Sequence, residues 1–295
     1  MTLQVVQITS WDDPRVDVYR DVRDADLRGR DGLFMAESEL VVRRLLKMPQ
    51  RLHSLLLSPE KFARLREALE EHLPETVPVY VAELRLMHEI AAFHIHRGTL
   101  AAGYRLPAEA LSLDAALGHL RPGAASASSA LQSAGGAPHS SRHLTLLLCE
   151  GVTNVDNMGA LFRNAAAFGV QGVVLDPTCC DPLYRKAIRV SMGHVLSIPY
   201  AVSDNWPADI ARLRDEWGMT IVAAEVHERA KPLWDMPQCE RMGLLFGSEG
   251  HGLSPAALQL CDAVCEIPMA DNVPSINVAV ASAVFLYERR REKKL

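Results

Sequence analysis

The sequence predicts an α/β protein built as two domains, and three observations predict it. Residues 143–291 alternate strongly apolar runs with amphipathic ones. Residues 1–106 hold a shorter mixture of the same patterns, and residues 107–142 between them are rich in Gly, Ser, Ala and Pro, the composition of a flexible linker. A chain of 295 residues can fill two cores. An apolar share of 48% with 23% charged residues is globular and excludes a collagen-like or wholly disordered chain.

In the first domain, ELVVRRLLKM (39–48) reads as an amphipathic helix and SLLLSP (54–59) as a short buried strand. PEKFARLREALEEHL (59–73) reads as a second helix, VPVYVA (77–82) as a strand, and GTLAAGYR (98–105) as another. The second domain is more regular. Strands are expected at 143–150, 172–177, 197–202, 220–226, 243–249 and 263–268, with helices at 159–169, 182–194, 208–218, 254–261 and 277–291. Strands this apolar, separated by helices, imply a parallel sheet covered on both faces, with ligands in the loops at the carboxyl ends of the strands.

Lys and Arg number 31 against 36 Asp and Glu, a net charge of −5, so a polyanion would have to be bound locally. The opening lacks a basic segment followed by a long apolar one, and no run approaches a membrane span, so a cytoplasmic protein is expected. The six cysteines are scattered and predict reduced, buried thiols. Cys261 and Cys265 lie one helical turn apart, but the second ligand pair that would argue for zinc is missing, and no metal is expected.

Three loops at expected strand ends are hard to explain by packing alone. The first, GVTNVDNMGALFRNAAAFG (151–169), places Asn157 where it can cap the helix and Arg163 one turn after Gly159. The second, LLFGSEGHGLS (244–254), sets Glu249 among Gly247, Gly250 and Gly252, whose backbones a ligand can approach closely. It is neither G-x-G-x-x-G nor a Walker loop, so nucleotide phosphate binding is not indicated. The third, EIPMADNVPSINVAVASAVFLYE (266–288), has Ser275 at the expected N-cap and Asn277 in the first turn of a long helix.

In this order the three loops resemble the motifs of the SpoU, or TrmH-like, branch of the SPOUT RNA methyltransferases. Asn157, Gly159, Arg163 and the AAAFG ending at Gly169 fit the first motif, Gly247 to Leu253 the second, and Ile267 to Met269 with Ser275 to Val278 the third. Val155 and Asp156 depart from the usual Asp-Pro run, and Pro274 stands where many members have a small polar or acidic residue. GLFMAESELVVRRLL and HIHRGTLAAGYR are similar to the start and end of the L30e-like RNA substrate-binding domain of many members.

The resemblance implies a knotted, trefoil-threaded parallel-sheet methyltransferase domain over 143–295 and a smaller L30e-like domain over 1–106. It further implies S-adenosylmethionine as cofactor, a homodimer with active sites at the subunit interface, and methyl transfer to a ribose 2′-hydroxyl of rRNA or tRNA. Arg163, Asn157, Ser275 and Asn277 are then the expected catalytic residues. Gly247, Glu249, Gly252, Ile267, Met269 and Ile276 are expected at the cofactor, and Glu150 is expected to hold the first loop in place. For RNA contacts the candidates are Arg185, Lys186 and Arg189, otherwise a solvated helix face, and Arg97, with Arg43, Arg44 and His96 in the same domain. The competing readings are a catalytically silent RNA-binding protein of the same fold and a small-molecule α/β enzyme; the second would leave the first domain unexplained.

Overall fold

The computed structural model describes residues 3–20, 32–92, 98–124 and 143–291. The expected RNA contacts Arg97 and His96, and most of the expected linker, lie outside them. The chain divides into two units: Met1–Leu106 together with Leu183–Ser197, and Pro107–Pro182 together with Ile198–Leu295.

The first unit holds strands β1 (Val5–Gln7), β2 (Leu33–Glu37), β3 (Leu52–Leu57), β4 (Val79–Val81) and β5 (Thr99–Tyr104), in the order β1-β4-β3-β5-β2. β3 and β4 pair in parallel, as do β1 and β4, while β5 runs antiparallel to β3 and β2. The helix Pro59–His72 starts where Ser58 accepts the Lys61 N–H at 3.3 Å and Pro59 supplies a preset first turn. Met35, Leu56, Tyr80, Met87 and Leu100 fill one side of the core. Buried Tyr19 places its hydroxyl 2.8 Å from Ser54 Oγ, which satisfies both groups away from water.

Leu183–Ser197 corrects the sequence reading. The single helix expected over 182–194 is a short helix, Arg185–Val190, followed by left-handed backbone at Met192 and Gly193 and a 3-10 turn at His194–Leu196. This segment clusters with the first unit rather than with the second domain to which sequence order assigned it. Arg44 donates to the Met192 carbonyl at 2.8 Å and meets His194 Nε2 at 2.9 Å, and Arg189 pairs with buried Glu37 at 3.4 Å.

The second unit holds β6 (Leu144–Cys149), β7 (Gly172–Leu175), β8 (Tyr200–Val202), β9 (Thr220–Ala224), β10 (Lys231–Pro232), β11 (Arg241–Phe246) and β12 (Ala263–Glu266), in the order β10-β12-β9-β11-β6-β7-β8. Every pairing is parallel, as runs of buried Leu, Val and Ile require when helices cover both faces. One face packs Leu146, Leu148, Ile221 and Leu245 against Ile210, Leu213 and Trp217.

The linker expected over 107–142 is corrected for its first part. Ala108–Leu111 forms a 3-10 turn, Leu113–Leu117 an α-helix capped by Ser112, and Gly118–Leu120 a second 3-10 turn. Leu113 and Leu117 are buried in the second unit's core. Their helical spacing turns both leucines to that core, and their burial offsets part of the cost of ordering the chain, despite small-residue surroundings. Among the described residues no helix is long and apolar enough to cross a membrane.

Candidate active site

The carboxyl ends of β9, β11 and β12 open into a cleft of about 550 Å³. Gly247, Glu249, Gly252, Ile267, Met269 and Ile276, the six residues expected at a cofactor, all line it, with Phe246 and Phe285 packed edge to face beneath. The glycine loop folds back on itself. Ser248 N–H donates to the Gly252 carbonyl at 3.3 Å, and Gly252 N–H to the Ser248 carbonyl at 3.1 Å. A side chain at Gly247 would overlap the Gly252 backbone, and Gly252 itself has φ +64°.

Carboxylates at neighbouring strand ends fasten these loops. Glu225, just after β9, accepts the Leu253 N–H at 2.9 Å through Oε2 and the Val226 N–H at 3.2 Å through Oε1. Glu150 was expected to hold the first loop. It accepts the Ser254 N–H at 3.2 Å instead, and so fastens the end of the second. The first loop is held by buried Asp176, after β7, which accepts from Gly151 N–H at 3.0 Å and from Thr178 N–H at 3.1 Å. The reading of the sequence missed Asp176 and Glu225, although an acid ending an apolar strand run was a usable signal for both.

Two helix starts bring the polar centre together. The helix Val155–Phe168 is capped by Asn154, which accepts from Asp156 and Asn157 N–H, not by Asn157 as the sequence suggested. Asn157 is freed for its side chain to donate to Glu249 Oε1. The helix Val278–Arg290 is capped by Asn277, not by Ser275: its Oδ1 accepts the Ala279 N–H at 2.9 Å and the Val280 N–H at 3.3 Å. Asn277 Nδ2 reaches both Asn157 Oδ1 and Glu249 Oε1 at 2.9 Å. The two helices meet where Asn164 donates to the Ala279 carbonyl at 2.7 Å and to Ser282 Oγ at 2.9 Å, so small residues there serve close packing.

Asn157, Glu249 and Asn277 therefore form one hydrogen-bonded group drawn from three loops, with Ser275 exposed on the cleft wall. Arg163 does not join them. It lies six residues beyond Asn157, on another side of the helix, is exposed, and has no hydrogen-bonding or ionic partner among the described residues. Lys186 and Arg189 are exposed and Arg185 half-buried, all within the first unit.

The chemistry of the lining constrains its ligand. Carboxylates of Glu225, Glu249 and Glu266 share the cleft with apolar side chains, and among the described residues no Lys, Arg or His lines it. Such a wall repels polyphosphates and suits an uncharged base joined to a cation. The thiols nearby are not nucleophiles: burial raises Cys265 and pushes Cys261 up to about 12. Among the described residues, no group of His, Cys, Asp and Glu is placed to hold a metal.

In a parallel sheet the carboxyl ends of the strands are where ligands bind, and this cleft lies there. Residues 144–287 match the SpoU rRNA Methylase family. Across its length the chain is similar to an uncharacterized tRNA/rRNA methyltransferase of Mycobacterium bovis, at 36% identity over 98% of this chain and 93% of that protein. It is also 27% identical to a 23S rRNA (guanosine-2′-O-)-methyltransferase of Neisseria meningitidis serogroup B, over 85% of this chain and 92% of that one. An AdoMet-bound rRNA methyltransferase from Sinorhizobium meliloti shares the fold, with a TM-score of 0.75 over 99% of this chain and 100% of its own, at 21% identity. The chain belongs to the SpoU rRNA methylase family. It is an RNA methyltransferase, and the cleft's glycine backbones, apolar walls and carboxylates fit S-adenosylmethionine, the ligand named for the Sinorhizobium meliloti structure.

Proposed function

We propose that this protein transfers a methyl group from S-adenosylmethionine to a ribose 2′-hydroxyl of ribosomal or transfer RNA, in the cytoplasm and as a homodimer. The observation that carries the reading is the joining of Asn157 by direct hydrogen bonds to Glu249 and Asn277 of the cleft lining. When bound, the cofactor supplies an electrophilic methyl on a sulfonium. Held by the glycine loop and the apolar wall, it would give up that methyl to the ribose oxygen, keep the bonding electron pair on sulfur, and leave the hydroxyl proton to a substrate phosphate or solvent. A 2′-hydroxyl is a poor nucleophile while protonated, so the residues must orient it and stabilise charge on its oxygen.

Arg163 fits that second task. A guanidinium stays protonated and cannot act as a base, but it stabilises a developing alkoxide. Ser275 and the amides of Asn157 and Asn277 position the ribose by neutral hydrogen bonds, and Glu249 holds both amides in place. Arg163 lies off its own chain's cleft lining, which supports a site completed by a second copy. The exposed stripe Val280, Val284 and Tyr287 on the helix Val278–Arg290 supports the same dimer.

The central place of late strand β11 between β6 and β9, with the chain after β12 returning to the loop after β11, supports trefoil threading. The five-stranded first unit serves as the L30e-like RNA-binding domain, with Arg185, Lys186 and Arg189 as phosphate contacts. The test is transfer of labelled methyl from the cofactor with and without RNA. Label in RNA, dependent on RNA, is the expected result. Turnover of the cofactor without RNA would favour a small-molecule enzyme, and RNA binding with no transfer a catalytically silent protein.

A further inference from the structure

The three carboxylates of the cleft are not equivalent. Glu249 is committed to the amides of Asn157 and Asn277, and Glu225 to the backbone N–H groups of Leu253 and Val226. Glu266, the last residue of β12, lines the same cleft and is half-buried, and its carboxylate has neither a hydrogen bond nor an ion pair among the described residues. Its neighbour in the sheet is Glu225. Cys265 pairs in register with Ala224, and Glu225 N–H donates to the Cys265 carbonyl at 3.1 Å, so the two carboxylates follow one another on adjacent strand ends. The cation closest by register is Lys231 on β10, opposite Cys265, and it does not line the cleft or pair with Glu266.

An uncommitted carboxylate beside a second one, in a wall to which the described residues bring no cation, is unfavourable until a positive charge arrives. We infer that Glu266, with Glu225 beside it, selects the cofactor by charge: it is a specificity residue that favours the sulfonium-bearing methyl donor over the neutral sulfide left after transfer. This rests on the reading that the cleft holds S-adenosylmethionine. Donor and product share the adenosine and the amino-acid portion, so the apolar walls and glycine backbones hold both alike. Only the sulfur changes charge: it keeps the bonding electron pair when the methyl leaves, and the positive charge departs with the ribose proton. The attraction to Glu266 then ends, which favours release of the product.

The test is calorimetric binding of S-adenosylmethionine and S-adenosylhomocysteine to the full-length protein and to Glu266→Gln. One charge pair several ångströms apart at a half-exposed site predicts a loss of about fivefold to tenfold for the donor, with roughly twofold or less for the product. Glu266→Asp should restore part of the preference. Equal weakening of both ligands would assign Glu266 a packing role, and unchanged donor affinity would remove it from the site; either result overturns the inference. A wild-type protein that binds neither ligand would overturn the reading of the cleft, and the inference with it.

Discussion

Asn277 has two tasks that one side chain can meet only at a helix start. Its oxygen accepts the first free N–H groups of the helix Val278–Arg290, while its nitrogen joins Asn157 and Glu249. Asn277→Ala should therefore lower both stability, by about 1 kcal/mol for the lost cap, and methyl transfer. Ser275→Ala removes a hydroxyl from an exposed cleft wall that caps nothing. It should lower transfer with stability changed by about 0.5 kcal/mol or less. Thermal unfolding beside an activity assay separates the two, and equal stability losses would contradict the assignment of the cap. Arg163, exposed and without partners among the described residues, has little structural work there. Arg163→Ala should keep the fold and the cofactor affinity, yet lose roughly a hundredfold in transfer rate, the scale of removing one group that stabilises a transition-state oxyanion. Near-normal turnover would take Arg163 out of the mechanism.

At the scale of elements, the helix Val278–Arg290 presents two faces. Phe285, Leu286 and Ser282 are buried, while Val280, Val284 and Tyr287 recur at i, i+4 and i+7 on the exposed side. A helix turning an apolar stripe outward is unstable in that state unless something covers it, and the proposed second copy does so. Val284→Glu should give a monomer by light scattering, with transfer lost because the site is then incomplete. A dimer that survives the charge would mean that the interface lies elsewhere. The helical and strand periods made most of the second unit legible, since its buried strands are long apolar runs between helices. The caps were not: each loop offers two residues able to cap, and only the fold shows that Asn154 and Asn277 do so. The short strands β1 and β10 are too brief to leave a periodic signal. The helix Leu113–Leu117 was hidden because the composition around it is that of a linker.

At the scale of the whole molecule, the net charge of −5 and the carboxylates of the cleft leave the attraction of RNA phosphates to local cationic groups. Sequence order put Arg185, Lys186 and Arg189 in the catalytic domain, whereas contacts group them with the first unit; backbone order alone cannot show that a segment packs with a distant part of the chain. The motif residues around the cleft were legible for the opposite reason. Their glycines, amides and carboxylate lie within three short loops that parallel strands carry to the same carboxyl end of the sheet. The most direct measurement is nucleoside analysis of rRNA and tRNA after reaction with methyl-labelled S-adenosylmethionine. Label confined to 2′-O-methylribose is the predicted result, and label on a base, with none on ribose, would contradict the account.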